Sequence, residues 1–184
     1  MIWDFDLKLA NDGPRNFRTT NDRLNKSNGE TTATTGLSQL RTSGSGEFTV
    51  EGLKVVLART QGPITVFDLR QETHLLVNDL PVSWYASHDW ANVGRTQAEI
   101  ENQETEQMQS LKPGSEIDVR PGQPVKHGND NSATPQRVTV ERAGTERDVV
   151  ESAGAHYVRV AVTDHAPPLD SAVDRFVVAV RGLP

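Results

Sequence analysis

The residues of this chain best placed for chemistry are Asp164 and His165, in the run YVRVAVTDHAPP at 157–168. The β-branched and apolar residues 156–163 read as a strand buried on both faces. Thr163, Asp164 and His165 then form a polar corner, and Pro167 and Pro168 stop the extension. A second corner follows ITVFDLR at 64–70, where Asp68 and Arg70 close a strand and Glu72 and His74 come at once. Ligands of α/β folds bind beyond the carboxyl ends of the strands, so both corners are candidate site positions. The same side chains also have plain structural uses. Asp164 can be a cap or turn residue, and Arg70 can pair with Asp68 or Glu72 to brace a loop. Arg18, in PRNFR at 14–18, is either part of a solvated arm with Phe17 tucked onto the core or an arginine delivered to an anion.

Composition removes several alternatives. The 184 residues contain no cysteine, which excludes disulfides, thiolate metal sites and a cysteine nucleophile within them. The five histidines, at 74, 88, 127, 156 and 165, show no HExxH or similar close spacing, so no metal and no cofactor are expected. A net charge of −6 offers no broad positive field, so neither nucleic acid nor an anionic membrane is expected as partner. An anionic substrate would have to be held by a local cluster of basic groups and backbone N–H. The run MIWDFDLKLAND lacks the basic start and long apolar core of a signal peptide.

The elements that must position these residues can be read in order. Residues 1–46 are polar and loop-like, and 42–48 form a short extended piece. Thr49 is an N-cap for a helix over 50–59, and Gly62-Pro63 separates it from the strand at 64–70, a β-α-β pattern. Asn78-Asp79 marks a hairpin inside 74–94, with Trp84, Tyr85 and Trp90 expected mainly as core. Residues 95–112 suit a surface helix with Ile100, Met108 and Leu111 as its apolar stripe, and 115–122 and 136–142 alternate like half-buried strands. Residues 1–94 and 144–184 are therefore expected as an α/β core, with 95–143 as a small antiparallel lobe inserted into it. Thr145-x-x-Asp148 has the form of a capping box for a helix at 146–153. A last helix starts near Asp170, with Val173, Phe176, Val177 and Val180 on one face. A strand followed by an amphipathic crossover helix calls for another parallel strand, so the chain is expected to be incomplete at its C-terminus.

The runs NFRT (16–19), SGSGEFT (43–49), ITVFDLRQETH (64–74), VSWYASHDWANVG (82–94), YVRVAVTDH (157–165) and DRFVVAVRGLP (174–184) together resemble the protein-tyrosine-phosphatase-like inositol polyphosphatases, or cysteine phytases. The resemblance implies a tyrosine-phosphatase-like α/β core with a mostly parallel central sheet flanked by helices. It implies hydrolysis of inositol phosphates such as phytate through a cysteinyl-phosphate, with Asp164 as general acid for the leaving alkoxide. His165 and Asp68 would line the pocket, Arg18 would contact a substrate phosphate, and Arg70 and Glu72 would brace the site. The family's HCxxGxxR loop is absent from these residues. The nucleophile would then come from a complementary C-terminal segment or chain, and residues 1–184 alone would be inactive. Ala166-Pro167-Pro168 departs from the expected bulkier residue before the proline. Lys126 and His127 are candidates for the mouth of the site by composition only. Alternative readings are a non-catalytic fragment that binds phosphoinositides or a phosphoprotein, and a protein tyrosine phosphatase. Bacterial members of the family include exported enzymes and effectors delivered into host cells, and this chain carries no decisive address.

Overall fold

The computed structural model describes residues 2–5, 13–22, 34–84, 90–120 and 134–183. Tyr85, His88, Lys126 and His127 lie outside the described residues. The elements run β1 (Ile2–Phe5), β2 (Arg18–Thr19), β3 (Ser43–Gly44), α1 (Val50–Arg59), β4 (Thr65–Arg70), β5 (His74–Val77) and β6 (Leu80–Trp84). They continue α2 (Gln97–Ser110), β7 (Glu116–Arg120), β8 (Gln136–Thr139), β9 (Ala143–Gly144), α3 (Glu146–Ser152), β10 (His156–Val162) and α4 (Asp170–Arg181).

The fold is α/β, with a parallel pair at its centre. Strands β4 and β10 pair parallel, Tyr157 opposite Val66 and Arg159 opposite Asp68, with an irregularity between Arg159 and Val162. Beside them stands a mixed six-stranded sheet of order β8-β7-β1-β6-β5-β9. Within it β1 runs parallel to β7 and antiparallel to β6, with Trp3 opposite both Val119 and Trp84. The strands of 95–143 do pair antiparallel with each other. Through β1 they also continue the sheet of the β5–β6 hairpin, so no sheet boundary falls at residue 95. β3 pairs with β2 in a two-stranded ribbon and not with β4, so the β-α-β pattern read over 42–70 is not formed. The parallel partner of β4 comes instead from β10, far along the chain.

Local chemistry explains the boundaries. The Thr49 side chain accepts from the Gly52 N–H at 2.9 Å and opens α1. Thr145 and Asp148 form a reciprocal capping box at the start of α3, and Thr96 and Glu99 form another at α2. Asn78 and Asp79 both take positive φ (51° and 67°), as a tight type I′ hairpin requires. The Asn78 side chain also ties that turn to the end of β8 and the residues just after it. It donates to Thr139 O at 2.8 Å and accepts from Glu141 N at 2.8 Å.

Two apolar clusters hold the layers. Trp3, Leu75, Val77, Val82, Leu111, Val119 and Val140 fill the space under the large sheet. Phe48, Leu53, Val150, Ala155 and Tyr157 pack between α1, α3 and β10. The face of α4 is different. Val173, Phe176, Val177 and Val180 stay 37–43% exposed, and Phe176 meets Phe67 edge-on at 5.1 Å. Among the described residues no helix is long and apolar enough to cross a membrane.

Candidate active site

Asp164 and His165 leave the carboxyl end of β10 on an exposed turn. The turn closes through Ala166 N donating to Thr163 O at 3.1 Å, and His165 adopts a left-handed φ of 57°. Two bonds pin this corner to the body. The Trp90 indole N–H donates to the Asp164 carbonyl at 3.1 Å, and the Thr163 hydroxyl donates to Gln71 Oε1 at 2.8 Å. Gln71 and its neighbour Thr73 are held in turn by the buried Asn92 amide, which reaches Gln71 O at 3.0 Å and Thr73 Oγ1 at 2.9 Å. The Asp164 carboxylate therefore stands free of β10 on a corner with a fixed backbone. Its own neighbour is His165 Nε2, 3.2 Å from Oδ2. Trp90, read from the sequence as core, is half-exposed and serves this corner.

The second corner is a buried polar network. Asp68 is only 4% exposed. Its Oδ1 accepts from Arg70 N at 2.9 Å, and its Oδ2 accepts from the Tyr157 hydroxyl at 2.5 Å. Arg159, from the centre of β10, lies 3.4 Å from the same Oδ2. It also donates to Glu104 Oε2 and to Glu72 O at 2.7 Å each, and to Arg70 O at 3.1 Å. Arg70 reaches Glu47, Glu72 and Ser83. Asp68, Arg70 and Glu72 thus belong to a largely buried network at the end of β4, while Asp164 and His165 are exposed beyond the end of β10. Arg18 sits on the β2–β3 ribbon, its guanidinium laid against Gly44 and donating to Asn16 O at 3.0 Å.

Electrostatics follows from this packing. Burial by itself would raise the Asp68 pKa. The neighbouring His74 and Arg159 and the Tyr157 hydroxyl outweigh it and hold the carboxyl well below its usual range. Burial likewise opposes charge on His74, but the Asp68 carboxylate prevails and pushes its pKa well above the ordinary imidazole value, against the pull of Arg70. Burial beside Asp68 and Glu146 raises the Tyr157 phenol, so it remains a donor.

The sequence reading missed Glu104, Glu146, Tyr157 and Arg159 as members of this network. One signal was available: an arginine in the middle of an apolar strand, YVRVAV, must find an anion when buried. The glutamates gave no comparable signal, because Glu104 lies on a helix whose polarity reads as solvated.

The model of the PTP-like phytase family, described by the words inositol hexakisphosphate, matches residues 67–184. The chain belongs to the PTP-like phytase family. An effector protein of Pseudomonas syringae pv. tomato, hopD2, is 37% identical over 167 residues, covering 90% of this chain and 35% of its own length. The tandemly repeated protein tyrosine phosphatase-like phytase of Mitsuokella multacida is 36% identical with a TM-score of 0.86, over 100% of this chain and 32% of that one. A PTP-like phytase of Bdellovibrio bacteriovorus is 35% identical with a TM-score of 0.69, over 99% of this chain and 57% of that one. This chain therefore spans about a third of the first two relatives and somewhat over half of the third. The tyrosine-phosphatase-like α/β core expected from the sequence is the fold of these PTP-like phytases.

Proposed function

We propose that this chain supplies the acid arm of a phosphatase that removes phosphate from inositol polyphosphates such as phytate. In this reading Asp164 protonates the departing inositol alkoxide, a poor leaving group that needs a positioned acid. His165 stands beside it at the rim, Arg18 binds a substrate phosphate, and Asp68 supports the pocket floor with Arg70 and Glu72 behind it. The observation that carries the reading is the Asp164 corner, an exposed carboxylate on a backbone pinned by Trp90 and Gln71. The family match supports the substrate class, as does the Mitsuokella multacida enzyme, whose structure was determined in complex with myo-inositol-(1,3,4,5)-tetrakisphosphate.

The attacking group in this reading is a cysteine thiolate, which forms a cysteinyl-phosphate that water then hydrolyses. These 184 residues contain no cysteine, so the thiolate comes from further sequence or a second chain. The greater length of the relatives supports that, and so does the half-exposed apolar face of α4, which a complementary segment would cover. The hopD2 relative is an effector protein, and delivery into a host cell or export from a bacterium is the setting we propose.

Phosphate release from inositol hexakisphosphate tests the reading. A protein extended to the length of its relatives is expected to release phosphate, and residues 1–184 alone are expected to release none. Turnover by 1–184 alone would overturn the cysteine route. A full-length protein that binds inositol hexakisphosphate without hydrolysing it would establish the binding-module alternative.

A further inference from the structure

His74 lies at the centre of the buried network and is fully enclosed. Its Nδ1 is 3.0 Å from Glu72 O, a contact that only an Nδ1–H can make as a hydrogen bond. In the neutral ring this turns the Nε2 lone pair toward Asp68 Oδ2 and Glu146 Oε2, each 3.4 Å away. Both separations exceed the usual 2.7–3.2 Å of an N–H···O bond, and Nε2 makes no hydrogen bond among the described residues. Asp68 and Glu146 are each 4% exposed, and the three ligand atoms lie within 4.8 Å of one another.

We propose that Asp68, His74 and Glu146 form a divalent-metal site of the zinc type. The spacing fits. With ligand bonds of roughly 2.0–2.2 Å, the N···O edge of a tetrahedron is about 3.3–3.4 Å. The donor set of one imidazole and two carboxylates suits zinc better than magnesium or calcium. The outer contacts are those that orient such ligands: a backbone carbonyl on His74 Nδ1, and the Tyr157 hydroxyl and Arg159 on Asp68. Charge points the same way. Asp68 and Glu104 face Arg159 and Glu146 faces His74, while Arg70 is taken up by Glu47 and Glu72. Three carboxylates against one guanidinium leave two negative charges around His74, which a divalent ion neutralises and a single proton halves. A cavity of about 150 Å³, lined by Glu104, Thr145, Arg147, Tyr157 and Arg159 among others, lies beside residues that contact the cluster. Such an ion would tie α3 to β4 and β5 independently of any phosphatase chemistry.

The test uses residues 1–184, stripped with a chelator and titrated with Zn²⁺ alone. One ion per chain is expected, with a raised melting temperature. Zinc-edge anomalous diffraction should place it between the three named atoms. Glu146→Gln preserves size and lies at the start of α3. It should weaken binding at least tenfold while far-ultraviolet circular dichroism stays unchanged. Glu101→Gln, on the same cavity but outside the donor set, should bind as the parent does. Absence of zinc uptake, uptake at another position, or equal affinity in Glu146→Gln would each overturn the proposal. The cluster would then be closed by a proton on His74.

Discussion

Arg159 offers the sharpest test of the buried network. Replacing it with Met keeps most of the volume and removes the guanidinium. Hydrogen bonds to Glu104 Oε2, Glu72 O and Arg70 O are lost, along with the pairing to Asp68. The two carboxylates stay where they are, nearly fully buried, at 4% exposure for Asp68 and 5% for Glu104. Breaking a buried pair by deleting one partner costs about 3–5 kcal/mol, because the other charge is left uncompensated. For a chain of this size that is a fall in melting temperature of about 6–20 °C. The assay is urea unfolding of parent and Arg159→Met, with a chelator present throughout so that bound metal contributes to neither. Adding Glu104→Gln to Arg159→Met should recover about 0.5–3 kcal/mol, since the second change removes one of the stranded charges. A loss below about 1 kcal/mol in Arg159→Met, or no recovery in the double variant, would refute the view that Arg159 is the counter-charge holding β10 against α2.

Two further substitutions probe the framework. Trp3→Ala, at 1% exposure in the core of the six-stranded sheet, should cost about 3–5 kcal/mol in urea unfolding. A near-neutral result would remove β1 from the core. Asn78→Ala loses the bonds to Thr139 O and Glu141 N and places an alanine at positive φ, for a loss of about 1–3 kcal/mol. Asn78→Gly relieves the backbone strain alone and should recover only part of that loss.

Much of the framework was legible because it rests on short-range chemistry. Thr49, the Asn78-Asp79 turn and the Thr145–Asp148 box each act within a few residues, and each falls where its sequence signal lies. The Asp164 corner was legible as the end of a buried strand. What escaped depends on partners far along the chain. β1 has only four residues and gains its place from β6 and β7, so the polar start of the chain reads as loop. β3 has two residues and no pattern to say which strand it joins. Helix α2 reads as solvated because Glu104 and Gln107 are polar, yet both are buried with Ile100. Glu104 is buried because Arg159 lies opposite, and no local period encodes that. Trp90 looked like core for the converse reason: its apolar ring conceals an N–H that serves the Asp164 carbonyl.

The central claim, that Asp164 carries the proton for the leaving group, is tested most directly by leaving-group dependence. The protein extended to the length of its relatives, as parent and Asp164→Asn, is assayed on inositol hexakisphosphate and on 4-nitrophenyl phosphate. A poor alkoxide leaving group needs the acid, so Asp164→Asn should lose about 10²–10⁴-fold on the inositol substrate. A nitrophenolate leaves without a proton, so the loss on that substrate should be far smaller. Full rate on inositol hexakisphosphate, or an equal loss on both substrates, would contradict the assignment.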